Sequence, residues 1–90
     1  MIRWDETKNK QLKRDRHMSF ERISEVISSG QYLDVLRHPK RPNQRMFIVR
    51  LDDYVWVVPY VYEADGETIF LKTAFPSRKF NRRYGGKRDA

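Results

Sequence analysis

Apolar residues repeat at helical spacing in one stretch near the start of the chain: Phe20, Ile23, Val26 and Ile27. This spacing predicts a helix that begins after Ser19 and stops at Gly30. An earlier helix over residues 5–16 is predicted by Asp5, which can cap its amino end, although Leu12 is the only large apolar side chain within it. We therefore expect two N-terminal helices, the first of which depends on tertiary contacts.

Beyond the second helix the pattern changes to short β-rich runs. It predicts four strands, over residues 32–37, 45–51, 54–62 and 67–75. Asp52-Asp53 and Asp65-Gly66 separate the last three runs and predict tight hairpin turns. Two-residue turns there would place Leu51 opposite Tyr54 and Tyr62 opposite Ile69.

These registers predict two different sheet faces. One face is uncharged and aromatic, and we assign it to the core: Phe47, Val49, Leu51, Trp56, Tyr60, Ile69 and Leu71. The other has two cations among apolar residues and is a candidate working surface: Ile48, Arg50, Val55, Val57, Val61, Phe70 and Lys72. Pro59 cannot donate a hydrogen bond within a ladder, so it implies either an edge strand or a bulge. A bulge would move every later residue to the opposite face.

The chain after Pro76 predicts one more helix. Ser77 can cap a short basic helix that extends to about Tyr84, and Gly85-Gly86 would end it. The expected fold class is α+β, with two N-terminal helices on a four-stranded, mostly antiparallel sheet and a short C-terminal helix. We expect a single domain over residues 1–86, followed by a basic tail at residues 87–90.

Composition limits the function classes. The chain has 90 residues and no cysteine, which excludes disulfide scaffolds, thiolate zinc sites and cysteine nucleophiles. Its longest apolar run is too short to span a bilayer, and the first residues lead directly into charged ones, so we expect no membrane segment and no signal peptide. The expected localisation is cytoplasmic.

The positive charge is concentrated at two places in the sequence. The chain carries 19 basic and 12 acidic side chains, a net charge of +7. Residues 46–76 have a net charge of −3, whereas the flanking residues 31–45 and 77–90 have +3 and +5. Two basic blocks around an apolar centre are typical of a phosphate-binding face, although the charge of the last residues can equally belong to a solvated tail.

The side chains available favour metal-free phosphate chemistry. The chain has two histidines and no Gly-rich phosphate loop, and Asp52-Asp53 is better explained as a turn than as a metal site. Cleavage of RNA by its own 2′-hydroxyl requires cations for the phosphoryl oxygens and groups that move protons, but no metal or other cofactor. His38, in a proline-flanked loop among basic residues, is a candidate acid or base, whereas His17 is expected to close the first helix.

The candidate catalytic residues are Arg45, Lys72, Arg78 and Tyr84, and the candidate RNA-binding residues are Arg50, Lys79, Arg82 and Arg83. Arginine offers two-pronged contacts to phosphate, and lysine offers a compact charge. Each cation can equally be a solvated surface side chain. Tyr84 can equally pack the last helix against the sheet.

Several short motifs, in their order and spacing, extend over residues 2–86. They are Trp4-Asp5-Glu6-x-Lys8-Asn9, Met18-Ser19-Phe20-Glu21, Pro42-Asn43-Gln44-Arg45-Met46-Phe47, Tyr54-Val55-Trp56-Val57-Val58-Pro59, Ile69-Phe70-Leu71-Lys72-Thr73 and Pro76-Ser77-Arg78-Lys79. In these motifs the chain resembles the BrnT-type toxins of bacterial toxin–antitoxin pairs. One departure is Asp15-Arg16-His17, where many members of that family have Lys-His-Gly.

The resemblance implies a RelE-like fold and a ribonuclease toxin of a type II toxin–antitoxin system, which arrests translation. It also implies two partners, RNA and a cognate antitoxin, usually a ribbon-helix-helix protein through which the complex binds operator DNA. The alternative is a non-catalytic basic module that binds RNA or protein, including a degenerate toxin that only binds its antitoxin. Arg16 and His17 keep that alternative open.

Overall fold

Two helices, six strands and a short C-terminal helical segment make up the described part of the chain, residues 1–85 of a computed structural model. In chain order these elements are β1 (Ile2–Trp4), α1 (Glu6–Arg16), α2 (Phe20–Ser28), β2 (Asp34–Arg37), β3 (Arg45–Leu51), β4 (Tyr54–Tyr62), β5 (Ile69–Leu71), β6 (Phe75–Pro76), α3 (Arg78–Phe80) and a π-helical turn (Asn81–Gly85). The α+β class is confirmed. The expected tail at residues 87–90 lies outside the described residues.

The strands form one mixed sheet in the order β1-β5-β4-β3-β2, and β6 also pairs with β4. Four strands were expected, and two features explain the difference. The three residues of β1 are too few to show alternation in the sequence, and they pair with β5 in parallel. The predicted strand over residues 67–75 is divided into β5 and β6. All the other pairings are antiparallel.

Both N-terminal helices begin and end at the residues that their capping chemistry predicts. The Asp5 carboxylate accepts a hydrogen bond from the Thr7 amide (2.7 Å), and the Ser19 hydroxyl accepts one from the Arg22 amide (3.2 Å). His17 ends α1 in the left-handed conformation with φ of 55°, as expected. Gly30 follows α2 with φ of 75°.

A buried asparagine joins the two helices. The Asn9 side chain accepts a hydrogen bond from the Phe20 amide (2.8 Å) and donates one to Glu21 (3.0 Å), and Asn9 has no exposed surface. The Phe20 amide is one of the first N–H groups of α2, which have no partner within the helix. This contact gives the polar helix α1 a fixed position on α2.

The predicted registers and the predicted core face are confirmed. Leu51 pairs with Tyr54, and Tyr62 pairs with Ile69. The main core combines this face of the sheet with the two helices, and its buried members include Phe20, Ile23, Ile27, Phe47, Val49, Trp56, Val58, Tyr60 and Leu71. Burying a side chain of this size stabilises the fold by about 1.5–3 kcal/mol relative to leaving it exposed.

Part of the opposite face, the candidate working surface, is buried. Ile48, Val55 and Val57 are buried there with Met46 in a second, smaller core. The residues that cover them are partly exposed themselves: Leu36, Phe80 and Tyr84. The C-terminal segment therefore covers part of this face.

A bulge divides the last strand opposite Pro59. Between the Tyr60–Leu71 pair and the Val57–Phe75 pair, β4 spans three residues whereas the neighbouring strand spans four, so the neighbouring strand contains one extra residue. The Pro59 carbonyl accepts from the Lys72 amide (2.8 Å), so the N–H that proline lacks would point toward the same partner. The bulge is thus on the neighbouring strand, not in β4 as the sequence suggested, and it moves Phe75 to the face of Val57.

Candidate functional site: a basic groove at the bulge

The bulge lies at a surface groove of about 310 Å³ that is lined by three cations and a histidine: Lys8, His38, Arg41 and Lys72. Pro59, Thr73 and Phe75 complete much of its wall. Within residues 1–85, none of the side chains that line this groove is a carboxylate. Its electrostatic character is therefore that of an anion-binding surface.

Three separate parts of the chain supply the charged groups. Lys72 belongs to the bulge, and Lys8 comes from the first turn of α1. His38 and Arg41 lie in the loop between β2 and β3, which is closed by hydrogen bonds from the His38 amide to the Gln44 carbonyl (3.0 Å) and from the Gln44 amide to the Arg41 carbonyl (2.9 Å). A strand end, a helix and a hydrogen-bonded loop thus place these side chains around one space.

The loop also orients the His38 ring. Its Nδ1 accepts a hydrogen bond from the Lys40 amide (3.1 Å), so the proton of the neutral ring is at Nε2. In this tautomer His38 is a hydrogen-bond donor through Nε2. The ring in this state suits the binding of a phosphoryl oxygen better than the abstraction of a proton.

Two further cavities adjoin the basic groove. One, of about 160 Å³, shares Lys8 and Thr73 with it and adds Arg16 and Asp15. The other, of about 360 Å³, shares His38 and Phe75 and adds Arg37 and Lys79. We call this second one the outer cavity. Basic side chains therefore border a continuous surface that extends from Arg16 through the groove to Lys79.

Of the four candidate catalytic residues, Lys72 lines the groove and the other three do not. Arg45 is exposed and pairs with Tyr60 on the face that the helices cover. Arg78 is exposed on α3 and lines none of the three cavities. None of these three cavities therefore brings Arg45, Lys72 and Arg78 together.

The fourth, Tyr84, is held by contacts within the fold. Its hydroxyl donates a hydrogen bond to the Asp34 carboxylate (2.7 Å), and its carbonyl accepts one from the Arg50 guanidinium (3.0 Å). The hydrogen bond from Tyr84 lowers the pKa of Asp34, and the same bond raises the pKa of Tyr84. These contacts fasten the C-terminal segment to β2 and β3, which agrees with the packing role that the sequence left open for Tyr84.

The four candidate RNA-binding residues are also divided. Lys79 lines the outer cavity, and its ammonium lies 5.4 Å from the Phe80 ring centre. Arg50 is engaged with the Tyr84 carbonyl. Arg82 is exposed, and the exposed Arg83 lies over the Tyr84 ring at 5.3 Å. Lys79 thus lines a cavity that adjoins the basic groove, and the other three line none of the three cavities.

Sequence reasoning missed four residues of this surface: Lys8, Arg37, Arg41 and Phe75. Arg37 and Arg41 belong to the basic block at residues 31–45, so the charge distribution pointed to their segment but not to their side chains. Lys8 reaches the groove only through the packing of α1. Phe75 reaches it because the bulge reverses its direction.

In the described residues 1–85, no group of three histidine or carboxylate side chains is close enough to hold a metal ion, and no helix is long and apolar enough to cross a membrane. Comparison of the chain with models of protein families, with curated proteins and with solved structures gives no match. The resemblance to BrnT-type toxins stays a prediction.

Proposed function

We propose that this protein is a metal-independent endoribonuclease, the toxin of a type II toxin–antitoxin pair, and that its RNA site is the basic groove. One observation carries the proposal: three cations and an oriented histidine line a single groove to which the described residues contribute no carboxylate. A phosphodiester needs this charge, because negative charge grows on its oxygens as the 2′-oxygen attacks. The sequence motifs support the toxin class and, with it, a RelE-like arrangement of the α+β fold.

The proposed step is a transesterification within the RNA. The 2′-oxygen forms a bond to phosphorus, the bond from phosphorus to the 5′-oxygen breaks, and the 2′-hydroxyl proton passes to water. Lys72 donates a proton to the leaving oxygen and is protonated again by water. Arg41, Lys8 and His38 Nε2–H hold the phosphoryl oxygens. The products are a 2′,3′-cyclic phosphate and a 5′-hydroxyl.

The proposed partner is an antitoxin with an acidic segment. It would meet the exposed basic side chains of α1 and of the C-terminal segment and would block access to RNA. Operator DNA would be bound through the antitoxin, which we expect to be a ribbon-helix-helix protein. Replacing Lys10 or Arg14 with Glu should slow this association at low salt, and an unchanged rate would place the antitoxin elsewhere.

A binding module without catalysis is the second candidate, and one observation favours it. Tyr84 and Arg50, two of the eight residues selected from the sequence, are engaged in contacts within the fold. Arg16, which stands where many BrnT-type proteins have histidine, lines the cavity beside the groove and adds charge there without a titratable ring. Such a protein would bind RNA strongly at low salt and leave it intact.

Purified protein incubated with RNA and EDTA tests the proposal. We expect cleavage that leaves 2′,3′-cyclic phosphate ends, and a loss of about 100- to 1,000-fold in rate for Lys72→Ala, by analogy with the removal of one transition-state donor. Lys8→Ala and Lys10→Ala form a matched pair, because both residues are exposed on α1 and only Lys8 lines the groove. Cleavage that requires a divalent metal, or equal loss in both α1 variants, would contradict the proposal.

A further inference from the structure

Phe75 has an unusual position for a large apolar strand residue. It is 39% exposed although it pairs with the buried Val57 in the middle of the sheet. The bulge opposite Pro59 turns its side chain to the face that, among the described residues, is covered mainly by Leu36, Phe80 and Tyr84. There the ring forms part of the wall of both the basic groove and the outer cavity.

The outer cavity is apolar inside and basic at its border. Its walls include Leu36, Met46, Val57 and Phe80, its charged residues Arg37 and Lys79 are both cationic, and the His38 ring stands beside them. An occupant must therefore combine an apolar, flat part with negative charge beside it. An unpaired nucleotide has this combination, because its base offers a π-face and its phosphates are anionic.

We propose that Phe75 is a stacking residue for an unpaired nucleobase of single-stranded RNA, with the base in the outer cavity and the adjacent phosphate in the basic groove. The inference rests on the proposed function in that both place RNA at the groove. It goes further in making single-strandedness a requirement. Bases of a duplex are already stacked and paired, so a duplex offers only phosphates to this surface.

The exposed aromatic residue Tyr62 provides a matched control. It is 52% exposed on the neighbouring strand and lines none of the three cavities. The probe is a short single-stranded oligonucleotide with 2′-O-methyl riboses, which cannot be cleaved by the proposed route, and with 2-aminopurine as the fluorescent base. The same sequence in a duplex, and the same strand with an abasic site, complete the set.

Phe75→Ala should weaken binding of the single strand by about 5- to 150-fold, and Tyr62→Ala should change it little. The slope of log affinity against log salt should stay unchanged in Phe75→Ala, since no phosphate contact is lost. In Lys72→Ala it should fall by about 0.7. The affinity for the duplex should be equal in wild type and Phe75→Ala.

Two further variants separate stacking from folding. Phe75→Leu keeps an apolar side chain in β6 but removes the ring, so it should bind the single strand as weakly as Phe75→Ala and leave 2-aminopurine unquenched. Phe75→Tyr keeps the ring and should restore both binding and quenching. Restoration by Leu would show that the ring only supports the fold, and it would overturn the inference.

Other outcomes also decide the matter. Equal binding by Phe75→Ala and Tyr62→Ala, or wild-type binding as tight to the abasic strand, would overturn the stacking role. The stacking role would also be overturned if Phe75→Ala weakened the binding of an oligoglutamate peptide but not the binding of RNA. That result would show that the outer cavity binds an acidic protein segment. If only the proposed function is wrong, the result is different: RNA binding still depends on Phe75, but an unmodified RNA strand is not cleaved.

Discussion

The two faces of the sheet are covered by very different amounts of chain. Helices α1 and α2 cover one face and form the main core with it, including Phe20 and Ile23. On the other face a segment of eight residues, Arg78–Gly85, covers a smaller core, and its Phe80 and Tyr84 stay partly exposed. Stability is therefore concentrated on the face that α1 and α2 cover, whereas on the other face the described residues leave the outer cavity open.

The difference also explains where charge can collect. A side chain buried between the sheet and the helices must be apolar or fully hydrogen-bonded, as Asn9 is, because burying an unpaired polar group costs free energy. Where the cover is thin, lysine and arginine stay hydrated and can approach one another. The short C-terminal segment thus leaves basic side chains accessible to solvent, while the sheet beneath it fixes their positions.

The largest expected effect comes from a pair of phenylalanines. Phe20→Ala removes a ring that is 1% exposed in the main core, and we expect a loss of about 3–5 kcal/mol in the free energy of unfolding. Phe80→Ala, on the thinly covered face, should cost less than about 1.5–3 kcal/mol, the value for complete burial of such a side chain. Urea denaturation measures both, and equal losses would contradict the asymmetry.

The next prediction concerns the hydrogen bonds by which Asn9 links α1 to α2. Asn9→Ala leaves the buried Phe20 amide without an acceptor and should cost about 1–3 kcal/mol. Lys10→Ala, one residue further along and exposed, should change stability by less than about 0.5 kcal/mol. If Asn9→Ala and Lys10→Ala have the same urea midpoint, the hydrogen bonds of Asn9 do not hold α1 on α2.

A smaller, stabilising effect is expected in the turn between β3 and β4. Asp52 and Asp53 have φ of 54° and 64°, and glycine adopts such values without steric cost. Asp53→Gly should therefore raise the free energy of unfolding by up to about 1 kcal/mol. Asp52→Gly should gain less, because the Asp52 carboxylate accepts two hydrogen bonds from Arg22 (2.8 and 3.0 Å) and links α2 to the turn. Thermal denaturation of the two variants compares them.

The smallest global effect is expected where the C-terminal segment is attached. Asp34 has a lowered pKa, so its contact with Tyr84 contributes stability above its ordinary value of 3.8, and the contribution is lost as the pH falls through the lowered value. Tyr84 has a raised pKa, so its contribution is present below its ordinary value of 10.0 and is lost as the pH rises through the raised value.

Tyr84→Phe removes this bond at every pH. Amide protection of Phe80 and Asn81 should fall in this variant, whereas protection in α2 should stay unchanged. In wild type the amide protection of Phe80 and Asn81 should be highest between the lowered pKa of Asp34 and the raised pKa of Tyr84. A uniform loss of protection across the sheet would mean that the segment and the main core unfold together.

The parts of the fold that local chemistry determines could be predicted from the sequence. Caps at Asp5 and Ser19 and the pairing of Leu51 with Tyr54 depend on neighbouring residues, and each is confirmed. Strand β1 was missed because three residues show no period, and its parallel partner β5 is far away in the chain. For the site, the sequence showed which segments carry positive charge but not which side chains come together. Lys72 and His38 were selected, but no local pattern reports that Lys8 and Arg41 meet them.

Pro59 has a consequence that reaches well beyond its own strand. A residue with an amide hydrogen at this position would offer the neighbouring strand one more partner and remove a reason for the extra residue between Leu71 and Phe75. In a continuous ladder Phe75 would lie opposite Trp56, and its ring would face the helices instead of lining the groove beside Lys72. The one-residue register shift opposite Pro59 thus determines on which face of the sheet the Phe75 ring lies.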